Sequence, residues 1–226
     1  MHHLEQELDR LKQNLLAMAG QAESAVNQAI KALVDRDDDL ARAVKEHDDV
    51  VDRFEKEIDD QAIELLSKAP LASDLRLITV AMKISQNLER VGDEATKIAK
   101  RSLELSKEPQ LKPYVDIPRM ATLALEMLKQ ALDAFVQVQA EPALAVIPRD
   151  KQVDELNRQL HRELASFMVE QPANISRCLH LMVISKSLER IADHAKNIAE
   201  EVVYLREARD IRHPKLAPGG PSLPPA

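Results

Sequence analysis

Glycine, aromatic residues and cysteine are all scarce in this chain, and each scarcity removes a class of structure. Four glycines and 2% aromatics in 226 residues are too few for an all-β fold, whose turns need glycine and whose strands favour aromatic and β-branched side chains. With five aromatic side chains and a net charge of -7, there is neither a set of stacking platforms nor a basic stripe for nucleic acid. The lone Cys178 excludes an intrachain disulfide and a thiolate metal site, so a reducing compartment is expected and Cys178 reads as a small core residue. No stretch of 18 uninterrupted apolar residues occurs, and "MHHLEQELDR" is polar from its first residues, so neither a membrane span nor a signal peptide is read. The expected location is the cytoplasm, with membrane contact only through partners.

What is abundant is Ala, Leu, Glu, Lys, Gln and Arg, the residues that suit helices. Leu4, Leu8, Leu11, Leu15, Met18, Ala22, Ala25, Ala29 and Ala32 alternate spacings of four and three and draw one apolar seam along a helix of roughly 45 Å. After "DRDDD" at 35–39, Val44, Val51, Phe54, Ile58, Ala62 and Leu65 trace a second seam that ends at Pro70. Ser73 or Asp74 is then placed to cap a third helix through Leu77, Ala81, Ile84, Leu88, Val91, Ala95 and Ile98. Prolines at 109, 113 and 118 mark a linker.

The plan then repeats. A shift of 102 places Met18 on Met120, Val44 on Val146, Asp52 on Asp154 and Pro70 on Pro172; a shift of 100 aligns the third helices, where nine of sixteen residues from Ile84 to Ala99 are identical. The fold class expected is therefore all-α, a tandem repeat of two three-helix bundles. The six long helices span about 3–34, 38–68, 72–107, 114–140, 143–170 and 174–208. The units fall at 1–109 and 110–210, and the Pro- and Gly-rich 211–226 is read as a disordered tail.

Duplication isolates one pattern. Glu89 and Asp93 recur as Glu189 and Asp193, and Asp48 and Asp52 recur as Asp150 and Asp154, each pair four residues apart on the flank of an apolar seam. Like charges at that spacing repel by about 0.2–0.5 kcal/mol on an isolated helix. Kept twice, the repulsion asks for an offset, and carboxylates from two neighbouring helices make a patch suited to a hard cation or iron. Spacing alone names no metal, and a solvated acidic face is the competing reading. A ferritin-like di-iron bundle is excluded, because no Glu has His three residues later. His161, His180 and His194 read as packed or surface residues, and Arg90 and Arg190 as partners in helix-surface ion pairs. No Gly-rich phosphate loop, nucleophile elbow or Ser-His-Asp order is present, so the chain is read as a non-enzyme.

"PLASDLRLITVAMKISQNLERVGDEATKIA", "KSLERIADHAKNIAEEVVYL" and "DIRH" at 210–213 resemble the PhoU family of bacterial phosphate-signalling regulators, over about residues 4–213. The resemblance implies two three-helix bundles packed end to end, and multinuclear iron or zinc held by acidic pairs in some members. By position those ligands are Asp48, Asp52, Glu89 and Asp93 in the first repeat and Asp150, Asp154, Glu189 and Asp193 in the second. It also implies negative regulation of phosphate uptake and phosphate-starvation signalling, by an adaptor that links the phosphate ABC transporter ATPase to a sensor histidine kinase. A homodimer is the expected assembly. Lys97 stands where the second repeat has Asn197, the residue many members carry, so a competing cation is expected at the first site and the second is the expected better metal binder. Two other functions stay open on the sequence: an accessory regulator of a non-ABC phosphate or cation permease, and a carboxylate-bridged metalloenzyme.

Overall fold

In a computed structural model of the chain, residues 2–68 and 71–212 are described, with side chains from Leu4 onward. The first half comprises α1 (His2–Asp35), α2 (Asp38–Glu46), α3 (Asp48–Leu66) and α4 (Ala72–Leu105). The second comprises α5 (Asp116–Gln137), α6 (Ala140–Val146), α7 (Asp150–Glu170) and α8 (Ile175–Glu207), with short 3₁₀ turns at 147–149 and 172–174. Among the described residues there is no strand. The expected disordered tail and the stop at Pro70 lie outside the described residues, apart from Ile211 and Arg212.

The six-helix plan is present, with one difference that both repeats share: the second and fifth helices are each broken near their start. In the first half the break is at His47, between α2 and α3. In the second it is the turn Ile147–Arg149, whose Pro148 supplies no backbone N–H to continue a helix. Asp37 starts α2 by accepting from the Leu40 amide at 2.9 Å. Ser73 and Asp74 are not caps. The helix begins at Ala72 behind an extended Leu71, so both lie inside its first turn. Pro118 likewise sits in the first turn of α5, where no intrahelical donor is required.

The apolar seams become one core. Leu88 and Leu188 are fully buried, as is Cys178, and the buried side chains of both halves form a single continuous cluster. In place of an end-to-end arrangement of two bundles, α4 packs on α1 and α3, α8 packs on α5 and α7, and α4 and α8 pack extensively on each other. They run antiparallel, since Lys83 meets Glu201 while Glu94 meets Arg190. Being covered on more than one side, α4 and α8 carry fifteen buried residues each, and this crossing sets where the acidic pairs come to lie.

Candidate metal-binding carboxylate sites

The break in each second helix has a purpose at the level of residues. It makes Asp48 the first residue of α3 and Asp150 the first residue of α7, so each carboxylate occupies a helix N-terminus, where the aligned peptide dipoles favour negative charge. Asp52 and Asp154 follow one turn later. Because α3 packs on α4 and α7 on α8, each Asp pair faces the Glu-Asp pair of its own half.

The eight residues do sort into two sets of four. Asp52 is pushed above the usual carboxylate range, first by desolvation and then by the charges of Asp48 and Asp93. Glu89 is raised to about 7, by desolvation first and then by Asp93, Glu55 and Asp52. In the second set Asp154 is raised by desolvation, Glu189 and Asp150, and Asp193 by desolvation, Glu189 and Asp154. The carboxylates thus feel one another across the helix pair. Their oxygens nevertheless do not converge: among the described residues no three His, Cys, Asp or Glu side chains are arranged to hold a metal ion.

Glu55 belongs to the first set and the sequence pattern missed it. It stands beside Asp52 and is itself raised by desolvation, Asp59 and Asp52. Its equivalent under the repeat is Asn157, which accepts from Ser185 Oγ at 2.6 Å, so comparing the halves hides it; i,i+3 spacing from Asp52 was the available signal.

The positive charges are distributed differently from expectation. Lys97 does not reach the first set; its ammonium donates to Glu94 at 2.9 Å. Instead Thr96 donates to Asp48 Oδ1 at 2.8 Å, and the equivalent Lys196 donates to Asp150 Oδ2 at 2.5 Å. Lys186 also forms an ion pair with Glu189. Lysine ion pairs therefore stand at the second set, while Lys56 and Arg90 act on the first through space without a hydrogen bond to it. A hard cation fits the chemistry of the first set better, since its all-oxygen donors are crowded, partly desolvated and contacted by a hydroxyl where the second set is contacted by lysines.

The remaining candidates also find places. Arg190 pairs with Glu94 of the other half at 3.3 Å, an interaction between repeats and not along one helix. His194 Nδ1 donates to Asn87 Oδ1 at 3.0 Å, and its pKa is pushed down to about 4 by desolvation and then by Arg90. Glu94 and His194 are equivalent positions, so an acid and a neutral imidazole face each other's repeat across the crossing. His161 Nε2 lies 3.0 Å from Ser185 Oγ, and Ser185 is fully buried, its hydroxyl engaged by Asn157. His180 is pushed down chiefly by desolvation.

Comparison with known proteins gives a consistent relationship over the whole helical region. A family profile described as the PhoU domain matches twice, at residues 15–102 and 117–202. The "Phosphate-specific transport system accessory protein PhoU homolog" of Pseudomonas aeruginosa is 43% identical over 218 residues, covering 94% of this chain and 90% of that protein. The homologue of the same description from Aquifex aeolicus is 39% identical, covering 95% and 97%. Among solved structures, PhoU from Pseudomonas aeruginosa superposes with a TM-score of 0.87 at 42% identity, covering 91% of this chain and 99% of that one. The phosphate transport system regulatory protein PhoU from Streptococcus pneumoniae also gives 0.87, at 31% identity and 92% and 99% coverage.

Proposed function

Since the chain belongs to the PhoU family, we propose that it is an accessory protein of a phosphate-specific transport system and acts by contact, restraining phosphate uptake and starvation signalling by joining the transporter ATPase to a sensor histidine kinase. The observation that carries this reading is the coverage: both PhoU domains and the full helical region align with accessory proteins of that system. A non-catalytic role is supported by the residues themselves. The Ser185 hydroxyl that His161 contacts is fully buried, and the carboxylate sets line helix surfaces. None of the helices is long and apolar enough, among the described residues, to cross a membrane, which suits a protein that meets the membrane through its partners.

We further propose that iron or zinc binds the carboxylate sets, the first in preference to the second. Bound metal would supply positive charge that offsets the crowding of Asp48, Asp52, Glu89 and Asp93, at the cost of turning their side chains inward. The residues' own contribution is to present acceptor oxygens from two packed helices and to exclude part of the solvent around Glu89.

The test of the adaptor reading is a titration against the transporter ATPase and the kinase at low and high salt, beside phosphatase and oxidase assays with iron, zinc or manganese. Binding to either partner that weakens with salt is expected, because charge complementarity is screened beyond roughly 8 Å at physiological ionic strength. Metal-dependent turnover without binding to either partner sinks it.

A further inference from the structure

The crossing of α4 and α8 holds a feature that neither carboxylate set uses. A cavity of about 440 Å³ opens there, and Arg90 and Arg190, equivalent residues of the two halves, both line it together with Lys97 and Asn197. A second cavity of about 370 Å³ shares Arg90 and Asn197 and continues past Lys83 and Arg212. Five cationic side chains thus gather along one seam of a chain whose net charge is -7.

These cations are held in place from beneath. Glu94 is 4% exposed and accepts from both Lys97 and Arg190; Glu201, equally buried, accepts from Lys83 at 3.0 Å and Arg212 at 2.5 Å. Each buried carboxylate fixes two cations at the rim; Arg212 is balanced further by Asp210 at 2.7 Å, whereas among the described residues Glu94 alone faces both Lys97 and Arg190. Arg90, which lines both cavities, is attracted by Glu89 and Glu55 of the first carboxylate set while its guanidinium donates no hydrogen bond to either. Its guanidinium carries five donors in a rigid fork, and beside it lies open space.

Two forked guanidiniums, an ammonium and an amide around one void form a donor set that matches a tetrahedral oxyanion, which arginine binds through paired parallel hydrogen bonds. We propose that the α4–α8 crossing is a binding site for a phosphate-type oxyanion, held between Arg90 and Arg190 with donors from both halves. Neither half forms the site alone, so occupancy ties the repeats together across their interface. Asp93 and Asp193 border the same cavity and oppose an anion; their charge sets how weak the site is. Asp93 and Asp193 also belong to the carboxylate sets, so the site is tested on metal-free protein, where its failure and that of the metal reading are distinguishable.

The experiment is calorimetric titration of the chelator-treated full chain with inorganic phosphate at low ionic strength, chloride at matched ionic strength serving as blank. Saturable binding of one phosphate per chain is expected, weakened about ten-fold in Arg90→Gln, the effect of losing one charge-assisted contact. Arg90 is exposed and donates no hydrogen bond to a described residue, its attraction to Glu89 and Glu55 being through space, so circular dichroism of that variant should match the parent. Arg158→Gln, a surface charge paired with Glu155, is expected to bind as the parent does. Asp93→Asn with Asp193→Asn should tighten phosphate binding, the opposite of its expected effect on metal. Absence of saturable heat, equal loss in Arg158→Gln, or affinity unmoved by Arg90→Gln or by the Asp pair would overturn the site.

Discussion

Position 96 of the first half is threonine and its equivalent in the second, position 196, is lysine. The hydroxyl of Thr96 donates to Asp48, and the ammonium of Lys196 donates to Asp150. The same backbone, the same helix break and the same four carboxylates therefore produce a crowded acidic patch in one half and a partly neutralised one in the other. Lys186 on Glu189 widens the difference, and so does Glu55, which adds a fifth acid to the first set where the second has Asn157. The two halves share this arrangement and differ in the charge around it.

The strongest perturbation tests what the halves share. Leu88→Asp and Leu188→Asp each place an unpaired charge in a fully buried position, costing several kcal/mol, a large part of a domain's stability. Because the core is continuous across the halves, each is expected to lower a single calorimetric transition of the whole chain. Two transitions, only one of them moved, would show the halves to be independent units.

Exchanging the divergent residues sharpens the contrast directly. Thr96→Lys should weaken zinc or iron binding at the first set and Lys196→Thr should strengthen it at the second, each by about ten-fold, the usual reach of a residue that contacts a ligand without being one. Titration of the apo proteins measures both, and unchanged affinities in the two variants would mean that the carboxylates are only a solvated face.

A smaller effect appears in the pH dependence of the apo protein. Glu89 is raised from 4.5 to about 7, so the native state holds more protons than the unfolded chain between those values, and its contribution to stability falls as pH rises through that window. His194 is lowered from 6.5 to about 4, so here the unfolded chain holds more protons and stability falls as pH drops from 6.5 towards 4. The two oppose each other where they overlap. Thermal melts of Glu89→Gln across pH 4 to 7.5 should keep only the loss on the acid side, and a parent-like profile would remove Glu89 from the balance.

The mildest change makes the first half resemble the second. Gly92 corresponds to the buried Ala192, and a methyl at Gly92 would meet Val51 side-chain atoms at 3.4 Å, ordinary contact. Gly92→Ala is therefore expected to stabilise by about 0.5–1 kcal/mol through reduced backbone entropy of the unfolded chain. Denaturant titration checks it, and a loss of stability would mean that α3 and α4 cannot separate by the small amount the methyl requires.

Much of the molecule was legible from residue spacing. Helix ends fall within a few residues of those observed, and each Asp pair lies on a helix packed against the helix of its own half's Glu-Asp pair, because both depend on the helical period and on which helices are neighbours. The breaks at His47 and at 147–149 were not read, although Pro148 was a visible signal, since an apolar seam continues across them. The Lys97 and Asn197 contrast points to a cation at the first set, whereas Lys97 pairs with Glu94 and the neighbouring Thr96 and Lys196 are the residues that touch Asp48 and Asp150. One residue along a helix is a rotation of about 100°, enough to turn a side chain from one neighbour to another.

By itself the sequence determined the helices, their duplication and the retention of both acidic pairs, all of which follow from local periodicity and from comparing the chain with itself. Only the tertiary structure decided that α4 and α8 cross antiparallel with one shared core, that Lys186 and Lys196 pair with carboxylates of the second set, and that Arg90 meets Arg190 over a common cavity. Those outcomes depend on the rotation and register with which two helix surfaces interlock, which many distant side chains set together and no spacing within one helix records.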